Sequence, residues 1–98
     1  MAFTIEFSPD ARDHLRSLKK RDQQAIVDAI ADQLTQQPDQ PTKHRKRLDD
    51  NPVAPWELRI GDFRVFYDLI RDDQVVAVVA VGQRFHNRLL IGGEEIEL

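Results

Sequence analysis

Trp56-Glu57-Leu58-Arg59-Ile60-Gly61-Asp62-Phe63-Arg64-Val65-Phe66-Tyr67 is the stretch whose reading decides the fold. Trp56, Leu58 and Ile60 alternate with Glu57 and Arg59, and Phe63, Val65 and Tyr67 alternate with Arg64 and Phe66, the period-2 pattern of strands buried on one face. Gly61-Asp62 between them fits a two-residue type II′ turn, whose first position requires the positive φ that glycine adopts freely. That turn sets the register: Ile60 opposite Phe63, Arg59 opposite Arg64, and Leu58 opposite Val65. Arg59 and Arg64 then leave the sheet together, on the face opposite Trp56, Leu58, Val65 and Tyr67. Like charges so placed repel. Glu57 and Asp68 can neutralise them locally, giving an ordinary solvated face, or the paired guanidinium groups can hold the oxygens of a phosphate.

On the far side of this hairpin, Arg71 to Gln74 reads as a second turn and Val75 to Val81 as a strand covered on both faces. Gly82 lets the chain bend after that strand and redirect Arg84. On the near side, Asp39 to Pro55 holds three further prolines and many charges, Lys43, His44, Arg45, Lys46 and Arg47 among them. It reads mostly as a loop. Earlier still, Phe3, Ile5 and Phe7 alternate with polar residues as a short strand. Ser8-Pro9-Asp10 is a helix-start signal, since serine can cap an orphan N–H, proline fits the first turn and aspartate opposes the helix dipole. Ala11, Leu15 and Leu18 mark one apolar face. A second helix is predicted from near Asp22, carrying Ala25, Ile26, Ala29, Ile30 and Leu34 inward until Pro38 stops it.

The predicted fold class is therefore α+β: an N-terminal strand, a helical hairpin, then a three-stranded antiparallel meander, in one sheet with the helices on one face. Ninety-eight residues accommodate one domain, 1–98, with a short acidic tail over 92–98. Cysteine is absent, which excludes disulfides, thiolate metal sites and cysteine nucleophiles. The first residues do not resemble a signal peptide and no apolar run approaches the ~20 residues of a membrane helix, so a cytoplasmic protein without a membrane partner is expected. No metal-ligand spacing, glycine-rich phosphate loop or serine-based triad is present, and neither a metal nor a cofactor is expected.

The formal net charge of −3 is unevenly spread, because Glu94, Glu95 and Glu97 alone account for it. The body is near neutral and carries basic patches. Lys43, Arg45, Lys46 and Arg47 could track a phosphate backbone, as could Arg12, Arg16 and Lys19 or Lys20 on the first helix, although charged helix faces usually signify only solvation. His86 could exchange a proton near neutral pH.

Leu48 in its basic loop, Trp56 to Ile60, Gly61 to Tyr67, and Val79-Ala80-Val81-Gly82-Gln83-Arg84 together resemble the RelE/ParE superfamily, toxins of type II toxin–antitoxin pairs. The resemblance spans roughly residues 3 to 88 and is most specific in the hairpin and the Val-Gly-X-Arg block. It implies a toxin with a cognate antitoxin protein as partner. Many relatives of this type are ribosome-dependent endoribonucleases that cleave messenger RNA and so inhibit translation. By position, Arg59, Arg64 and Arg84 fall on basic positions of the family's active surface, which would make Arg84 and Arg64 catalytic and Arg59 a binder of RNA; His86, which does not align with the family's group, would be a substitute for proton transfer, and Lys43, Arg45, Lys46 and Arg47 of the basic stretch would bind RNA. Two positions depart from the family pattern: Glu57 stands where a lysine is common, and Leu90 falls near the place of a tyrosine. The alternative implied by the same resemblance is a non-nuclease member, either a ParE-like inhibitor of DNA gyrase or a catalytically weakened antitoxin-binding protein.

Overall fold

The period-2 stretch forms two strands, β3 (Trp56–Ile60) and β4 (Phe63–Ile70), in a computed structural model that describes residues 2–98. Arg59 pairs with Arg64, Leu58 with Val65 and Ile60 with Phe63, and Gly61 has a φ of +57°, as the two-residue turn requires. The remaining elements are β1 (Thr4–Phe7), α1 (Pro9–Arg16), α2 (Lys20–Leu34), β2 (Arg45–Arg47), β5 (Val75–Phe85), β6 (Arg88–Ile91) and β7 (Glu94–Glu95). The sheet runs β2-β3-β4-β5-β6-β7, antiparallel throughout, while β1 lies parallel to the first residues of β5.

One face of the sheet carries the main core. Trp56, Leu58, Val65, Tyr67, Val76, Val78 and Val81 meet Ala11 and Leu15 of α1 and Ile26, Ile30 and Leu34 of α2. Ser8 caps α1 as its sequence signal indicates, accepting from the Ala11 N–H at 3.0 Å. The second helix begins two residues before Asp22, and Ala25 faces solvent.

The outer edge of β5 has a gap. Its start is paired with β1 and its end with β6, and α1 serves the backbone between them. The Ser8 hydroxyl donates to the Val79 carbonyl at 3.0 Å, and the Val81 N–H donates to His14 Nδ1 at 3.2 Å. Both bonds satisfy strand groups that burial would otherwise orphan.

The segment read as a loop contains β2, and strand pairing sorts its charges. Lys46 stands opposite Glu57, whereas Arg45 and Arg47 stand opposite Leu58 and Trp56, on the helical side. Arg45 is only 9% exposed. Its guanidinium donates to the Gln33 carbonyl and, at 3.1 Å, to the Gln40 carbonyl. Helix α2 has no basic residue in its last turn, so Arg45 supplies the cation that the negative end of the helix dipole favours. Its assignment to an RNA-binding surface is therefore corrected: the side chain is committed to the fold. Nearby, the buried Tyr67 hydroxyl donates to the Pro38 carbonyl at 2.8 Å, and burial raises the phenol above its ordinary range.

Two further expectations change. The meander continues through a tight His86-Asn87 turn, both residues at positive φ, into β6 and β7, so residues 94–95 belong to the sheet rather than to a free tail. Gly82 does not bend the strand. A Cβ there would lie 2.8 Å from both Ile91 Cγ1 and the Leu90 carbonyl oxygen, so glycine serves the close approach of β6.

Arg45→Ala should lower stability by about 2 to 3 kcal/mol, since it removes charge-assisted bonds and leaves helix carbonyls unserved. Urea unfolding measures this. Lys46→Ala, one residue along, should change it by about 0.5 kcal/mol or less.

Candidate functional site

Opposite the helices, the sheet divides into an apolar half and a charged half. Phe66, Ala80 and Leu89 form a second small core, covered by Leu48, Val53 and Ala54 from the β2–β3 loop and by Ile96. Beside it, Glu57, Arg59 and Arg64 emerge from the hairpin as its register requires.

Arg84 joins them because of a β-bulge. Phe66 pairs with Ala80 but Tyr67 pairs with Val78, leaving Val79 as an extra residue in β5. Val76 and Val78 face the helices, and unbroken alternation would send Arg84 the same way. The bulge reverses the parity, so that Val81 points to the helices and Gly82, opposite Arg64, to the other face with Arg84. The Arg84 N–H also donates to the Asp62 carbonyl at 2.7 Å, tying this residue to the hairpin turn.

Within the site the three arginines differ. Arg64 is largely committed to the protein: its Nη1 donates to the carbonyls of Gly61 and Phe63 at 2.7 and 2.9 Å. Its Nε lies 3.1 Å from Glu57 Oε1, at an angle too poor for a hydrogen bond. The two side chains are 13% and 4% exposed. Burial, and then the charges of Arg59 and Arg84, hold Arg64 below the usual arginine range, while Glu57 and Asp62 oppose the shift. Arg59 and Arg84 remain exposed.

A cleft of about 290 Å³ opens between Arg59 and Arg84 and the β2–β3 loop, lined also by Lys46, Arg47, Glu57 and the acidic Asp49 and Asp50. A second hollow on the other side of β2 is lined by Lys43, Lys46, Arg47 and Arg59. The structure thus brings Lys46, Arg47, Arg59 and Arg84 together and continues the basic strip to Lys43. The Arg47 guanidinium sits 5.7 Å from the centre of the Trp56 ring, a cation–π contact that holds the side chain toward the helical side of β2.

His86 does not line that cleft. It occupies the tip of the β5–β6 turn with its ring edge-on to Phe85, the centroids 4.5 Å apart. Leu90 pairs with Gln83 and lines a groove with His14 and Leu18 on the helical side, so a tyrosine there would not reach the arginine face. Asp49 and Asp50 went unrecognised in the sequence, where they read only as loop charges. Among the described residues no cluster of His, Asp and Glu could hold a metal ion, and no helix is long and apolar enough to cross a membrane.

Residues 5–87 match the family described as the ParE toxin of the type II toxin–antitoxin system parDE. The chain belongs to this family, within the RelE/ParE superfamily of toxins. The fold is similar to a chain in the crystal structure of the toxin–antitoxin complex RelBE2 from Mycobacterium tuberculosis, at a TM-score of 0.71 and 25% identity over 86% of this chain and 100% of that one. No curated protein matches the chain significantly.

Glu57→Ala should lower stability by about 2 to 3 kcal/mol, because it removes the carboxylate nearest to the largely buried Arg64 while Arg59 and Arg84 stay beside it. Glu57→Lys should lower it further, since it sets a like charge beside Arg64 in place of the carboxylate. Urea unfolding of both variants beside the parent tests the ordering.

Proposed function

We propose that this toxin inhibits translation by cleaving messenger RNA on the ribosome, and that a cognate antitoxin protein restrains it. One observation carries the reading: in a protein of net charge −3, Lys46, Arg59 and Arg84 gather round one cleft, and the strip runs on to Lys43. Clustered like charges repel, and an RNA backbone relieves that repulsion through several phosphates at once. Cleavage follows when the 2′-hydroxyl, giving its proton to water, attacks the adjacent phosphorus to form a 2′,3′-cyclic phosphate, and the 5′-oxygen leaves and takes up a proton from water. The phosphorane oxygens then bear the developing negative charge, which Arg84 and Arg59 would stabilise. Arg64 acts behind them, holding the turn that positions both. The antitoxin partner follows from membership of a toxin–antitoxin family and from likeness to a chain solved in such a complex.

A second reading has its own support. Arg64 is already matched by Glu57, and Asp49 and Asp50 add negative charge to the cleft wall. A cleft of both signs suits a protein surface, and the toxin would then inhibit DNA gyrase without cutting RNA.

Purified toxin, translating ribosomes and mapping of RNA ends decide between the two. Arg84→Ala should reduce cleavage about 100-fold or more and Arg59→Ala somewhat less, with folding unchanged. His86→Ala should have little effect. A parent that never cleaves at saturating concentration but blocks gyrase supercoiling would establish the second reading.

A further inference from the structure

Leu98 lines the basic cleft beside Arg59 and Arg84, although it follows the acidic Glu94, Glu95 and Glu97. The path of the chain explains how it arrives there. Gly92 and Gly93, both at positive φ, turn the chain back along β6. The Ile96 N–H donates to the Leu89 carbonyl at 2.9 Å, and the Ile96 side chain packs on the second core beside Leu89 and Phe66. That anchor directs the following residues across the charged half of the face.

The attachment is slight. β7 has two residues and a single neighbour strand, its one ion pair joins Glu95 to Arg88 at 3.6 Å between exposed side chains, and Leu98 itself is 45% exposed. Exposed ion pairs of this kind contribute little. A weakly held segment that brings Leu98 to the cleft, downstream of two glycines, has the features of an exchangeable cover.

We propose that Glu94–Leu98 is a strap that closes the Arg84 end of the cleft and is displaced when RNA binds, an inference that rests on the cleft being the RNA site. Its closed position lowers the toxin's apparent affinity by the fraction of molecules in which the cleft is open. Release requires no rearrangement of the main core, because Ile96 packs only on the second cluster.

The test uses a 2′-O-methylated single-stranded RNA of about twelve nucleotides, which spans the strip and cannot be cleaved. Binding to the full chain is followed by fluorescence anisotropy. Leu98→Ser should bind about tenfold tighter than the parent, the change expected when a cleft open in about a tenth of molecules becomes open in nearly all. Hydrogen exchange at the Ile96 amide of the parent should quicken on adding the RNA. If Leu98→Ser binds no tighter while Arg84→Ala weakens binding, the strap is wrong and the cleft stands. If neither Arg84→Ala nor Arg59→Ala weakens binding, or no binding occurs, the cleft is not the RNA site and the strap falls with it. Slower exchange at Ile96 with RNA bound would also overturn the strap.

Discussion

Val79 is the residue on which the charged site depends. It is the extra residue of the bulge between the Phe66–Ala80 and Tyr67–Val78 pairs, and it exchanges the faces of everything after it in β5. Before it, even-numbered valines pack on the helices; after it, Val81 does so and Arg84 turns outward. The same shift brings Ala80 over Phe66 and Gly82 opposite Arg64. Two cores on opposite faces of one strand are thus reconciled by a single irregularity, which is what bulges beside binding sites commonly achieve.

Around that irregularity, basic residues close together in sequence or on one face serve different ends. Arg45 neutralises a helix terminus from inside the protein, Arg64 braces the hairpin turn against Glu57, and Arg47 rests near Trp56. On the cleft face, Lys43, Lys46, Arg59 and Arg84 leave their charge exposed. The small size of the domain makes such dual use economical. A chain of 98 residues buries a limited fraction of its surface, so charged side chains supply local fixing that a larger core would provide.

The Glu57–Arg64 pair also sets the charge of the cleft face. A carboxylate at this position stabilises the hairpin by compensating the cluster of arginines, and by doing so it lowers the net charge offered to a ligand. Arg59 and Arg84 are consequently the arginines exposed at the rim of the cleft, while Arg64 is held within the hairpin.

Much of this was determined by the sequence alone. Alternation across Trp56 to Tyr67 and the Gly61-Asp62 turn dictated the register, because shifting either strand by one residue would bury its arginine and expose Leu58 or Val65. Ser8, Pro9 and the spacing of Ala11, Leu15, Ile26, Ile30 and Leu34 likewise determined the helices and their buried stripe. Tertiary structure alone decided the rest. Val75 to Val81 is apolar at every position, so its pattern carries no parity and cannot say which way Arg84 points. Lys43 to Arg47 is basic almost throughout, so only pairing with β3 could divide Arg45, turned inward, from Lys46, turned to the cleft. Periodicity records a side chain's direction only where neighbouring residues differ in their affinity for water, and in these two runs they do not.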